Sequence, residues 1–244
     1  MANSARLPPS DSAGISASLV SMHFSRFAAA LALTVPLLAA PATACSVAGS
    51  YRVPTNLELV ERADTIVLAT VERDDSAPTD GRDMPPSMRM GIIVRPTILL
   101  KGASLPGELR LRATLSDDPR DVVASDPRDL LNPNPGALTG ACVRYVFRRG
   151  MQLVLFLDPD RRGGLQLAGY PFARSAEDVP SPDAPWVKAV RFYADVAALP
   201  ERERGAALAA RRDALRATSG DADAALLAED IDRQIRRHRI PPHD

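Results

Sequence analysis

The chain predicts a mainly β domain, a small barrel or sandwich, with a short N-terminal helix, an export signal ahead of it and an α-helical extension behind it. Three observations carry that expectation. Between residues 65 and 172, short runs rich in β-branched residues alternate with turn residues, as in a compact antiparallel β domain. After Pro180 the chain changes into alanine-, leucine- and arginine-rich segments with helical periodicity. Ahead of both, Phe27 to Ala40 (FAAALALTVPLLAA) is uncharged, follows Arg26, and stands just before Ala42-Thr43-Ala44-Cys45.

That apolar run is too short to span a bilayer as a helix, and Ala-x-Ala is the small-residue pattern that a signal peptidase cuts. Cleavage after Ala44 leaves Cys45 as the first residue of an exported, periplasmic or secreted protein. Residues 1–44 are therefore read as leader and signal peptide, with Met22 as an alternative start because an ordinary signal peptide begins there. A lipid anchor at Cys45 is the weaker reading, since Ala42 stands where such signals carry Leu, Val or Ile. The 30 basic and 30 acidic residues balance, and removing residues 1–44 changes the net charge by only one. This points away from nucleic acid and from anionic membrane surfaces. No later segment approaches 18 apolar residues, so no transmembrane span is expected in the mature chain.

The elements follow in order. Thr55-Asn56-Leu57-Glu58 fits a capping box, in which Thr55 accepts from the amide of residue 58 and Glu58 reaches back. A short helix starts there with Leu57, Val60 and Ala63 on its apolar side. Thr65–Glu72 (TIVLATVE) is the first strand. Gly91–Leu100 (GIIVRPTILL) is the second, and Pro96, lacking an amide donor, places an edge or a bulge at that point. Glu108–Thr114 (ELRLRAT) alternates as a half-buried strand should. Residues 73–90 and 115–140 read as long loops. Ala141–Phe147 and Met151–Leu157 flank a turn at Arg148-Arg149-Gly150, and Asp158–Gly164 turns the chain into Leu165–Tyr170. Trp186, Val190, Tyr193 and Ala197 give helix 183–198 one side that docks on the strands. Segments 201–217 and 221–238 complete the extension, divided at Ser219-Gly220.

Catalytic readings meet a shortage of parts. Beyond the signal, the histidines are His238 and His243, both at the very end of the chain, a poor place to hold a base beside a nucleophile. The acidic residues of 117–129 are interleaved with Arg120 and Arg128 and lack calcium-loop spacing, so they read as a solvated loop. Arg233, Arg236, Arg237 and Arg239, with Glu229, Asp230 and Asp232 beside them, read as a solvated helix end. No metal site and no cofactor are expected. The two cysteines, Cys45 and Cys142, have no Cys-x-x-Cys arrangement, and in an oxidising compartment they are most simply a disulfide. Closing a loop of that size is worth roughly 4–5 kcal/mol in the chain-entropy model.

The placement of Cys45, the segment Leu57 to Asp64 leading into the first strand, Leu100-Lys101-Gly102, and Cys142-x4-Phe147-x2-Gly150-x2-Leu153-Val154-Leu155-Phe156-Leu157 together resemble the netrin-like domain. This is the OB-fold shared with the tissue inhibitors of metalloproteinases and with bacterial secreted relatives. The resemblance covers about residues 45–172. It implies a five-stranded OB-like barrel over residues 45–175, with residues 176–244 as a helical extension outside the family pattern. It also implies that the N-terminal segment is tied to the barrel by disulfide. In the inhibitors, the first cysteine grips the target's catalytic zinc and the second residue enters its specificity pocket; by position these are Cys45 and Ser46. The family's Cys-x-Cys start is Cys45-Ser46-Val47 here, one staple fewer.

The expected function is an exported, non-enzymatic binding or structural module acting on a protein or envelope partner. The alternatives are a metalloprotease inhibitor working through the Cys45 amine and Ser46, and an envelope enzyme of unassigned reaction.

Overall fold

The computed structural model describes residues 50–75, 90–138 and 141–237. Helix α1, Asn56–Arg62, begins with the capping box that its sequence encodes: the Glu58 amide donates to Thr55 Oγ1 at 3.3 Å and the Thr55 amide donates to Glu58 Oε2 at 2.9 Å. Its far end is closed from β2, Ile92–Lys101. The Lys101 ammonium donates to the carbonyls of Val60, Glu61 and Ala63 at 2.7, 3.1 and 2.7 Å. Those are orphan acceptors of a helix C-terminus, where a cation also meets the negative end of the helix dipole.

β1, Thr65–Asp74, pairs antiparallel with β2 on one side and with β6, Gln152–Pro159, on the other. β3, Leu109–Leu111, extends the sheet beyond β2, and β7, Leu165–Leu167, beyond β6, giving the order β3-β2-β1-β6-β7. β8, Ala176–Asp178, shares the outer edge of β6 with β7, pairing with Leu153–Leu155 while β7 pairs with Leu157–Pro159. β4, Thr114–Leu115, and β5, Val146–Phe147, form a separate parallel pair. The ladder between β1 and β2 shifts register between Leu68 and Ala69, and Ala69 stands opposite Pro96. β3 covers only Ile92–Val94, so no ladder bond is asked of Pro96 from that side.

Three helices follow: α2, Pro185–Ala198; α3, Glu201–Ala217; and α4, Ala222–Ile235. Trp186, Val190 and Tyr193 of α2 are fully buried, and they share one core with Ile66, Leu68, Val154 and Phe156 of the sheet and with Leu227 and Ile231 of α4. The opposite sheet face carries a second cluster in which Val67, Ala69, Leu153 and Leu155 meet Leu111 and Phe147.

The expected five-stranded OB-like barrel is therefore overturned. The sheet is open and antiparallel, β3 and β7 are its two unjoined ends, and the fold is mixed α and β. The physical reason lies in β1 and β6. Residues 66–69 and 153–157 are buried at every position, so both faces of the central strands are covered. A barrel wall facing solvent would alternate. The helices consequently form a layer on the sheet rather than an appended extension. The strands that could close a ring are only two or three residues long.

Candidate functional site

The free edge of β7 is placed by its pairing with β6. Asp158 stands opposite Gln166, and flanking bonds run from the Ala168 amide to the Phe156 carbonyl at 2.9 Å and from the Asp160 amide to the Gly164 carbonyl at 2.8 Å. In an antiparallel ladder, hydrogen-bonded and non-bonded positions alternate, so the Gln166 backbone faces β6. The amides and carbonyls of Leu165 and Leu167 then face outward, where no further strand pairs among the described residues. Their side chains pack inward on the second apolar cluster, while Gln166 is exposed. The turn that delivers this strand uses Gly163, at φ 81°, a left-handed conformation that glycine adopts without strain.

This edge borders a groove of about 350 Å³ that reaches across to β3, with Tyr145 on its wall. That volume is within the range of pockets that take small ligands or short peptide stretches. On the β3 side, Arg110 in the strand and Arg112 in the bend after it are both exposed, while Leu109 and Leu111 pack on the second apolar cluster. Arg110 Nε donates to Asp75 Oδ2 at 2.5 Å. Asp160 also lines the groove, and its Oδ1 accepts from the amides of Arg162 and Gly164 at 2.7 Å each.

Two buried polar clusters also collect reactive side-chain types, and in both the carboxylates are engaged in structural bonds. In the first, the Ser125 hydroxyl lies 2.7 Å from Glu177 Oε2 and 2.8 Å from Asp178 Oδ1 while accepting from Asn134 Nδ2 at 3.0 Å. Arg144 donates to Asp178 Oδ1 at 2.5 Å, and Glu177 Oε1 accepts the Asn134 amide at 2.9 Å. Ser125, Glu177 and Arg144 are all buried. A serine beside a carboxylate is the raw material of a nucleophile, but here these bonds clamp the segment carrying Ser125 and Asn134 onto β8. In the second cluster, Arg174 lies over the Trp186 ring at 4.7 Å and donates to the carbonyls of Asp129 and Asn132, while Asp230 gathers donors from α1, α2 and its own helix. The cavity beside Arg174 and Asp230 offers about 20 Å³, room for one water molecule.

Of the residues expected to carry function, Cys45 and Ser46 lie outside the described residues. Cys142 is half-buried at φ 57°, and its carbonyl accepts the Phe172 amide at 2.7 Å; the expected Cys45–Cys142 disulfide remains a proposal. The solvated reading of the arginines of 233–239 is corrected at Arg233, which is half-buried, and its neighbour Asp230 has no exposed surface. The solvated reading of the 117–129 loop is corrected at Ser125, which is buried, as are Leu130 and Asn134 just beyond it. The groove itself was missed from sequence, although the alternation of ELRLRAT does place Arg110 and Arg112 outward. Among the described residues no group of three or more His, Cys, Asp or Glu side chains gathers as for a metal ion, and no helix is long and apolar enough to cross a membrane. Comparison with protein-family models, with characterised proteins and with solved structures finds no match, so the reading of function starts from the groove.

Proposed function

We propose that the mature chain is an exported, non-enzymatic binding module that engages a protein partner by taking an extended segment of it along the open β7 edge. The observation that supports this reading is the pair of outward backbone positions at Leu165 and Leu167, bordering a groove that ends at a second open edge. An unpaired strand edge supplies main-chain donors and acceptors to an incoming strand, and flanking side chains select its sequence. The structural bonds that hold Ser125 and Asp230 support a non-catalytic reading of these two residues.

The test uses three strand-forming peptides of about ten residues, threonine alternating with glutamate, glutamine or lysine, at up to about 1 mM. Binding of any of them should slow hydrogen exchange at the Leu165 and Leu167 amides at least about tenfold, leaving exchange within the β1–β6 ladder unchanged. Leu167→Pro removes one outward donor and leaves the β6-facing positions intact, so it should abolish that binding without removing the thermal unfolding transition. If none of the peptides protects these amides, the edge is not a docking site. Export is checked separately: the intact mass of protein recovered from the cell envelope should correspond to a chain starting at Cys45.

A further inference from the structure

We infer that the groove beside β7 binds a small uncharged sugar, a mono- or disaccharide whose hydroxyls pair with protein hydroxyls that the fold itself leaves unused. The starting point is Ser175, which lines the groove while only 4% exposed. Its amide donates to the Ala173 carbonyl at 2.9 Å and its carbonyl accepts the Phe156 amide at 3.0 Å. Its hydroxyl meets no hydrogen-bonding group among the described residues, and it is not one of the polar atoms sealed inside the protein. A polar group at such depth is ordinarily partnered, so the groove is where Ser175 finds its partner. Tyr145, half-buried on the groove wall, stands in the same position. Its carbonyl accepts the Thr114 amide at 2.8 Å, and its phenol has no partner among the described residues.

The charges that border the groove are answered within the protein. Arg110 pairs with Asp75 and Arg144 with Asp178, each at 2.5 Å. Asp160 Oδ1 takes two amides of its own turn, and Arg112 is engaged as well. A charged ligand would break one of these pairs or enter without a counter-ion, and both are costly. A purely apolar ligand would leave the two hydroxyls stranded. What suits the groove is a neutral molecule with several hydroxyls and an apolar face for the half-buried Leu165 and Leu167 and the Tyr145 ring. A pyranose ring has both, C–H groups on its faces and hydroxyls on its rim. The groove, about 350 Å³, is of a size that takes such ligands. This site needs no strand at the β7 edge, so it is independent of the peptide reading.

The experiment follows the amide resonances of the full chain as glucose, galactose, mannose, N-acetylglucosamine, cellobiose, maltose and the anionic probe glucuronate are added. At least one neutral sugar should bind with a Kd below about 10 mM, shifting amides at Tyr145, Leu165–Leu167 and Ser175, and glucuronate should bind no tighter. Ser175→Ala and Tyr145→Phe each remove a hydroxyl that bonds nothing in the fold. Both should keep the thermal midpoint within about 2 °C of wild type, and each should weaken the sugar at least about threefold. Absence of shifts from every neutral sugar at about 50 mM overturns the assignment. Binding that both variants leave unchanged overturns it too, since the hydroxyls would then play no part. Tighter binding of glucuronate that fades with salt overturns it in favour of an anion site on the arginines. None of these failures touches the strand reading, which stands or falls on exchange at the Leu165 and Leu167 amides.

Discussion

Asp230 is wholly buried, and its carboxylate receives the Tyr193 hydroxyl at 2.6 Å, Asn56 Nδ2 at 3.1 Å, Arg233 Nη2 at 3.0 Å and Gln234 Nε2 at 3.2 Å. A buried charge is tolerable only when so many donors converge on it. Asp230→Ala should lower stability by about 3 kcal/mol in chemical denaturation, because it removes the acceptor of the buried Tyr193 phenol and of the half-buried Arg233. Tyr193 reports on the same cluster. Burial pushes its phenol well above the ordinary value, and the facing Asp230 carboxylate pushes it further. The sign follows from linkage: a raised folded-state value means that the protonated phenol stabilises the native chain in full below the unfolded value of about 10, and that this stability is lost as pH rises past it. In an alkaline absorbance titration of the four tyrosines, one should therefore ionise only together with unfolding.

At the scale of elements, α1 is held at both ends by side chains, Thr55 and Glu58 at the start and Lys101 at the finish. Burial lowers the affinity of the Lys101 ammonium for its proton, yet three carbonyls face it. Lys101→Met keeps the aliphatic stem and removes the charge. It should cost about 1–2 kcal/mol, the lower part of the range for a charged donor, because the site is open to water. Thermal denaturation of that variant against wild type checks it. The start of α1 was legible in the sequence because a capping box involves only four consecutive residues. Its C-terminal closure was not, since Lys101 lies 41 residues from Val60 and nothing local links them. The central strands were legible as strands. Their unbroken apolar runs, IVLA and LVLFL, also held the sign of burial on both faces, which a barrel wall would not need.

At the scale of the molecule, α2 and α4 complete the core that covers one face of the sheet. Deleting residues 201–244 removes Leu208, Leu227, Ile231 and Asp230 together and leaves Asn56 and Tyr193 without their buried acceptor. The truncated chain should show no cooperative thermal transition, whereas the full chain should show one; circular dichroism melts of the two decide it. The helical segments themselves were readable from composition and periodicity. Their role as a layer was not, because burial of Asp230 depends on contacts spanning 174 residues.

By itself the sequence determined what depends on near neighbours: the capping box at Thr55, the docking side of α2 formed by Trp186, Val190 and Tyr193, and the outward alternation of Arg110 and Arg112. Only the tertiary structure decided that the sheet stays open, that Asp230 lies inside, and that Leu165 and Leu167 face a groove. The reason is physical. Local pattern records which residues prefer burial or a turn, whereas closure of a sheet and satisfaction of a buried charge depend on which distant segment arrives to complete them.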